Sequence, residues 1–218
     1  MINGIDVSKW QGDIDFSKVK ASGIEFVIIK AGGSDNGFYK DSYFEKNYEK
    51  AKAAGLSVGA YYFVGKRFQG IESGVADAKR FLDIIKGKEF DFPVFVDVEA
   101  PGFQYKEDNT DATIAFCETM EKAGYFCGIY GSDISGFKDR LDHKRIEQFA
   151  HWVARYGNPP EVCKDAQILQ KSSKGSVPGI CGSVDLDISY VEDYPKIMKK
   201  KGLNGFKKTV KKTEVKDV

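Results

Sequence analysis

Two carboxylates end an apolar run near the middle of the chain. Asp97 and Glu99 follow residues 92–96 with one residue between them. On a β-strand this spacing directs both side chains to the same face. In a partly desolvated cleft, burial and like charge push one pKa upward, and an acid that stays protonated near neutral pH can protonate the leaving oxygen of a glycoside. The pair therefore predicts glycosidase chemistry; the alternative is a strand that runs out into a solvated acidic loop.

Three further acids could share this cleft. Asp6 ends the first apolar run, where it could also simply cap a turn. Asp185 and Asp187 form a second pair with one residue between them on the last predicted strand. In a closed barrel the last strand lies beside the first, so we expect this pair near Asp6. A carboxylate cluster can also bind metal, but no D-x-[DN]-x-[DN]-G loop is present, and we predict neither a metal nor a cofactor.

Aromatic residues are frequent where the predicted strands end, and such rings can stack on sugar faces. They are Tyr61, Tyr62, Phe63, Tyr130, Trp152 and Tyr156. Taken one at a time, most aromatic residues belong to a core instead. The sequence has no P-loop and no G-x-G-x-x-G motif, so nucleotide binding has no support.

The segments that must position these residues alternate between strand and helix patterns. Five β-rich runs come first, at residues 4–7, 26–31, 57–64, 92–99 and 125–130. Amphipathic stretches separate them, and strands that are apolar throughout indicate a parallel sheet. The alternation predicts an α/β fold, either a barrel or a doubly wound sheet.

After about residue 150 the pattern changes. Residues 151–156, 166–170 and 184–190 look like strands joined by loops without room for full helices. This predicts an irregular barrel whose last third is rich in β-structure, closed by a helix near residues 194–198. We expect the domain to span residues 1–203 and residues 204–218 to form a Lys-rich linker or tail.

Charge and hydropathy exclude some partners. Residues 199–218 carry eight Lys and two acids, which leaves residues 1–198 with 25 basic and 30 acidic side chains, a net charge of −5. An acidic body disfavours nucleic acid as a partner. No apolar run reaches the length of about 20 residues that spans a bilayer, and the N-terminus shows no secretory signal. The sequence leaves the oligomeric state open.

The four cysteines form no C-x-x-C pair, and the two histidines are not spaced like metal ligands, so we expect no structural zinc site. Cys117 and Cys127 lie in apolar runs and are predicted to be core residues. Cys163 and Cys181 lie in predicted loops and could pair; the alternative is four free thiols.

Several segments, taken in order, resemble the lysozymes of glycoside hydrolase family 25, which include phage endolysins and bacterial autolysins. Residues 4–12 are similar to the family's opening strand and loop, and residues 92–99 to its strand that ends in Asp-x-Glu. The remaining similar segments are residues 130–132, 152–156, 169–170 and 184–187. Each segment is a weak match, but their common order is specific.

The resemblance implies an irregular TIM-like barrel, with five β/α units followed by three less regular β-strands. It also implies hydrolysis of the β-1,4 bond between N-acetylmuramic acid and N-acetylglucosamine in bacterial peptidoglycan. By position, Glu99 matches the general acid, and Asp97 the residue that orients the substrate acetamido group as an internal nucleophile. Asp6 and Asp185 match the other two acids of the family's cleft.

The resemblance also suggests substrate-binding residues, namely Lys30, Tyr62, Tyr130, Trp152, Gln170 and Asp187. Two positions depart from the family pattern: Tyr62 stands where His is usual, and Asp187 stands where Asn is more usual. The second departure leaves open whether Asp185 or Asp187 faces the sugar. The segment after Lys30 also lacks an acid that is often present.

The resemblance places the protein's action at the bacterial cell wall. A chain without a signal peptide suits a phage enzyme released by a holin, and it suits a truncated chain equally. We expect a wall-binding domain to follow the Lys-rich tail in the full-length protein. Two alternatives stay open: an inactive barrel that only binds glycans, and a chitinase-like glycosidase. The four acids disfavour the first, and the short acid series on the fourth strand disfavours the second.

Overall fold

The computed structural model describes residues 1–208, and eight of its strands close into one barrel. The strands are β1 (Ile2–Val7), β2 (Phe26–Gly33), β3 (Tyr39–Lys40), β4 (Ser57–Phe63), β5 (Val94–Asp97), β6 (Cys127–Ser132), β7 (Ala150–Ala154), β8 (Ile168–Gly175) and β9 (Val184–Ser189). The helices are α1 (Phe16–Ala21), α2 (Phe44–Ala53), α3 (Gly70–Ile85), α4 (Lys106–Lys122) and α5 (Tyr194–Lys201). Strand β3 lies outside the barrel and forms a short hairpin with the end of β2.

The order around the barrel is β1, β2, β4, β5, β6, β7, β8 and β9, and β9 returns to β1. All neighbours are parallel except β9, which is antiparallel to both β8 and β1. The first five barrel strands alternate with α1 to α4. A six-residue π-helical turn, Ser135–Arg140, and a short 3-10 turn, His143–Arg145, take the place of a fifth helix. The predicted irregular TIM-like barrel is therefore confirmed.

Because side chains alternate between the two faces of each strand, the protein has two hydrophobic cores, one under the helices and one inside the barrel. On β5, Val94 and Val96 face outward and pack under the helices, whereas Phe95 points into the barrel. The interior is filled by aromatic rings: Phe26 stacks on Phe92 with ring centroids 4.4 Å apart. Room for these rings comes from glycine on a neighbouring strand, since a Cβ on Gly4 would lie 2.3 Å from Phe26 Cζ. The aromatic layer forms a solid floor below the polar ends of the strands.

The chain still packs against the barrel just after the expected domain boundary at residue 203. Asn204 is fully buried; its Oδ1 accepts from Phe126 N–H at 2.6 Å and its Nδ2 donates to Phe92 C=O at 2.7 Å. These bonds tie the segment after α5 to the chain just before β5 and β6, at the bottom of the barrel. Phe206 also packs against the inner core. Residues 209–218 of the predicted tail lie outside the described residues.

All four cysteines are free thiols, so the possible Cys163–Cys181 bridge is not formed. Cys117 and Cys127 are buried in the outer core, as predicted. Within residues 1–208, no helix has the length and apolar character needed to cross a membrane.

Candidate active site

Four acids meet at the end of the barrel where the parallel strands terminate. Asp6 near the end of β1, Asp97 at the end of β5 and Glu99 two residues later line one cavity of about 300 Å³. Asp185 reaches the same cavity from the first half of β9, where it is paired in register with Asp6. The reversed direction of β9 explains why an acid near its beginning joins acids near the ends of the other strands.

Asp97 and Glu99 lie on one face but at different depths. Asp97 is 3% exposed and its Oδ1 has no hydrogen-bond partner among the described residues, whereas Glu99 reaches solvent at the mouth of the cavity. Burial raises the pKa of Asp97, and the charge of Glu99 raises it further against the opposing effect of Lys30. Burial also raises the pKa of Glu99, although the Arg140 guanidinium lowers it. Both carboxyl groups therefore keep a proton to higher pH than a free acid does.

A buried amide holds Asp6 in place. Gln170 on β8 donates from Nε2 to Asp6 Oδ2 at 2.8 Å. Its Oε1 accepts from the hydroxyls of Tyr130 and Tyr156, at 2.9 and 2.8 Å. Burial raises the pKa of Asp6, the nearby charge of Asp187 adds to this, and the bond from Gln170 opposes it. The network links strands β1, β6 and β8 with the segment after β7 and fixes one wall of the cavity.

Asp187 lies below the cavity rather than along it. It is 1% exposed and accepts from Trp152 Nε1 at 2.8 Å through Oδ1, while its Oδ2 has no partner among the described residues. Burial raises the pKa of Asp187 to about 8, against the lowering effect of the Trp152 bond. Of the second acid pair, Asp185 lines the cavity and Asp187 does not, so the structure does not bring the predicted substrate-binding residue Asp187 to the cavity surface.

Tyr62, which was expected to contact substrate, is likewise not among the residues that line the cavity. Tyr62 is fully buried on the outer face of β4 and packs against Phe81 of α3 and Phe116 of α4. Its hydroxyl donates to Asp77 Oδ1 at 3.3 Å. The neighbouring Tyr61 points inward instead and lines the cavity, in edge contact with Trp152.

The remaining predicted binding residues do line the cavity; they are Lys30, Tyr130, Trp152 and Gln170. The structure adds residues that the sequence did not single out, namely Ser8, Trp10 and Gln11. Trp10 is 79% exposed, in a 3-10 turn that the Ser8 side chain caps. A large exposed ring beside a polar cavity suits contact with a sugar face. Trp10 lies in the segment of residues 4–12 that resembles the family, but the sequence did not predict that its ring is exposed.

Arg140 was not predicted and has no sequence signal, because it depends on the π-helical turn. Its Nε donates to Pro101 C=O at 2.6 Å and its Nη1 to Ser135 C=O at 3.0 Å. These bonds connect the loop that carries Glu99 to the turn after β6. Arg140 therefore fixes the position of the Glu99 loop and places a positive charge near both acids.

A second cavity of about 570 Å³ shares Glu99, Tyr130 and Tyr156 with the first. Its other walls are Ser132, Asp133, Ile134, Ser135, Ala154, Arg155 and Asn158. Glu99 thus stands where the two cavities meet. An acid in this place can protonate an oxygen that bridges two groups, one in each cavity.

Comparison with known proteins agrees with this geometry. The family model of glycosyl hydrolases family 25 matches residues 5–180. The autolytic lysozyme of Clostridium acetobutylicum is 32% identical over 187 residues, which cover 85% of this chain and 55% of that protein. The chain thus spans little more than half the length of this relative.

Two solved structures are similar over most of the chain. The CTP1L endolysin has a TM-score of 0.78 and 30% identity, covering 91% of this chain and 70% of that one. The bacterial lysozyme of Streptomyces coelicolor has a TM-score of 0.74 and 27% identity, covering 87% and 92%. The family match spans well over half of the chain and includes the segments that carry Asp6, Asp97 and Glu99. The chain therefore belongs to glycosyl hydrolases family 25.

Proposed function

We propose that this barrel hydrolyses the β-1,4 bond between N-acetylmuramic acid and N-acetylglucosamine in bacterial peptidoglycan, and so acts at the bacterial cell wall. The observation that carries the proposal is the place of Glu99 between two adjoining cavities, with Asp97 deeper on the same face. The similar proteins named lysozyme, autolytic lysozyme and endolysin support peptidoglycan as the substrate.

In the proposed reaction Glu99 donates its proton to the bridging glycosidic oxygen as the bond to the anomeric carbon breaks. Asp97 Oδ1, which has no partner among the described residues, accepts the N–H of the substrate acetamido group. This hydrogen bond directs the acetamido oxygen toward the anomeric carbon, where it forms a cyclic intermediate. Water then attacks the same carbon, gives its proton to Glu99 and regenerates both the acetamido group and the acid.

The other predicted residues have supporting roles in this proposal. Asp6 and Asp185 border the sugar that bears the acetamido group, and Gln170 holds Asp6 in place. Trp152 and Tyr130 provide the floor and wall of the site. Lys30 offsets part of the negative charge next to Asp97.

The test is Glu99→Gln, which keeps the size of the side chain and removes the transferable proton. We expect wall lysis, followed as loss of turbidity of purified cell walls, to fall by about 10²–10⁴-fold with an unchanged thermal midpoint. The matched control is Glu147→Gln, because Glu147 is exposed and does not line either cavity. Lysis by Glu99→Gln at the wild-type rate would refute the assignment of Glu99.

Mass spectrometry of the released fragments tests the bond. The proposal requires N-acetylmuramic acid at the new reducing ends. N-acetylglucosamine at those ends would show a different glycosidase specificity, as would cleavage of chitin oligomers in preference to walls. Wall binding without any cleavage by the wild-type protein would identify an inactive glycan-binding barrel.

A further inference from the structure

Three side chains with metal-binding atoms meet on the side of the barrel that lacks helices. His143 lies in the 3-10 turn after β6, His151 on β7 and Cys163 in the connection between β7 and β8. One potential ligand atom from each lies within 4.8 Å of the other two. His143 Nδ1 and Cys163 Sγ are 3.7 Å apart. Three separate parts of the chain thus converge on one point.

This cluster is separate from the cavity that holds the acids. His151 precedes Trp152 on β7, and adjacent residues of a strand face opposite sides. Trp152 belongs to the core inside the barrel, whereas the ring of His151 packs against Phe137 of the outer core, with centroids 4.9 Å apart. The cluster therefore faces the outside of the barrel and plays no part in the proposed hydrolysis.

The spacing of the ligand atoms suits a tetrahedral ion. Bond lengths of about 2.3 Å to sulfur and about 2.0 Å to nitrogen, at a tetrahedral angle, place the two ligand atoms about 3.5 Å apart. The distance between His143 Nδ1 and Cys163 Sγ is 3.7 Å. The upper bound of 4.8 Å exceeds the ideal by about 1.3 Å at most for the other nitrogen–sulfur pair and by about 1.5 Å at most for the nitrogen–nitrogen pair, which side-chain rotations can close.

Contacts around the cluster hold its members in place. The imidazole Nε2 of His151 lies 3.2 Å from Ile146 C=O, the type of backbone contact that orients histidine ligands. Asp133 is fully buried and accepts three backbone N–H groups, from Glu161, Val162 and Cys163, at 2.7, 3.1 and 3.1 Å. The segment that carries the thiol is thus fixed by its backbone, independently of the sulfur.

We propose that His143, His151 and Cys163 bind one zinc-like divalent ion, with solvent as the fourth ligand. His143 is only partly buried, which leaves an opening for the ion and for a solvent molecule. On binding, the Cys163 thiol loses its proton to solvent and forms the sulfur–metal bond. Imidazole and thiolate ligands favour zinc over magnesium and calcium, whose ligands are oxygen atoms.

The site has a structural purpose in this fold. The connections after β6 and β7 lack the packed helices that cover the first four barrel strands of the chain. An ion bound to His143, His151 and Cys163 joins these two connections to each other and to β7. We therefore expect the ion to stabilise the last third of the barrel.

Cobalt(II) is the probe, because it replaces zinc and its spectrum reports sulfur coordination. Protein freed of metal with a chelator, under reducing conditions, is titrated with Co²⁺. We expect a thiolate-to-cobalt charge-transfer band that saturates at one equivalent and disappears when Zn²⁺ is added. Zn²⁺ should also raise the thermal midpoint. Wall lysis measured at temperatures well below that midpoint should not change when the metal is removed with the chelator.

Two variants and one control locate the site. Cys163→Ser should abolish the charge-transfer band, and Cys181→Ser, which alters an exposed free thiol, should leave it unchanged. His143→Asn changes a partly exposed residue, so it tests the site even if Cys163→Ser does not fold; its apparent affinity for Co²⁺ should fall at least tenfold. The proposal is overturned if wild-type protein shows no such band at saturating Co²⁺, or if Cys163→Ser or His143→Asn binds like wild type.

Discussion

Two acid pairs with the same spacing, Asp97 with Glu99 and Asp185 with Asp187, enter the cleft from opposite directions. Strand β5 runs toward the open end of the barrel, so its second acid, Glu99, reaches solvent and its first is buried. Strand β9 runs the other way, so its first acid, Asp185, lines the cavity and its second lies beneath. Identical spacing therefore gives opposite orders of depth.

The two buried members of these pairs also differ in their partners. Asp187 accepts a hydrogen bond from the indole N–H of Trp152 through one of its oxygens. Each of the two acids has one buried oxygen without a donor among the described residues, but only Asp97 borders the cavity, from which a ligand can reach it. An unsatisfied buried oxygen is costly unless a ligand supplies the missing hydrogen bond. We infer that Asp97 serves the reaction and that Asp187 serves the structure of the site.

The largest expected effect that separates the two acids is that of Asp97→Asn. We expect kcat on soluble peptidoglycan oligomers to fall by about 10²–10³-fold, because a neutral amide cannot become the charged acceptor that strengthens the hydrogen bond to the acetamido group. The thermal midpoint should not fall, since the substitution replaces a buried ionisable group with a neutral one. Asp108→Asn, at an exposed position on α4, is the control. An unchanged kcat would show that Asp97 does not take part in the reaction.

Asp187→Asn should act mainly on stability. The pKa of Asp187 is raised from 3.8 to about 8 in the folded protein, so the folded state retains a proton that the unfolded state releases. The wild-type free energy of unfolding therefore contains a contribution that is complete below pH 3.8 and is lost as pH rises through about 8. The asparagine variant lacks this titration and can still accept from Trp152.

Urea unfolding at pH 5 and pH 9 measures this difference. At the higher pH we expect the variant to be more stable than wild type by more than about 1.4 kcal/mol, the equivalent of one pKa unit. The difference in stability between variant and wild type should be smaller at pH 5. The kcat of Asp187→Asn should change far less than that of Asp97→Asn. If the free energy of unfolding of the variant depended on pH in the same way as that of wild type, Asp187 would not have the raised pKa.

The smallest effect is expected for Tyr62→Phe, which tests the same rule of alternating faces on β4. Loss of the hydroxyl removes its bond to Asp77 and should lower the free energy of unfolding by about 1 kcal/mol. The kcat/KM for wall fragments should not change, because Tyr62 lies on the helix side of the strand. Tyr61→Ala, on the cavity side, should lower kcat/KM. A loss of kcat/KM in Tyr62→Phe would show that Tyr62 contributes to substrate binding or turnover.

The sequence was sufficient to predict the barrel and the shared cleft, because alternating segments and acids at strand ends obey simple geometric rules. The depth of Asp187 was not predictable, since the spacing of a pair does not reveal the direction of its strand. Tyr61 and Tyr62 could not be distinguished because both faces of β4 carry apolar or aromatic residues. Arg140 and the group of His143, His151 and Cys163 depend on irregular turns, for which no periodicity exists.

The bonds of Asn204 have a practical consequence. They hold the last described segment at the bottom of the barrel, while the acids open at the top. A tag or solid support joined beyond Lys208 would start from the end that faces away from the substrate. The domain could then be immobilised or fused to a carrier with both cavities still open to the proposed wall polymer, provided that Asn204 and Phe206 are retained.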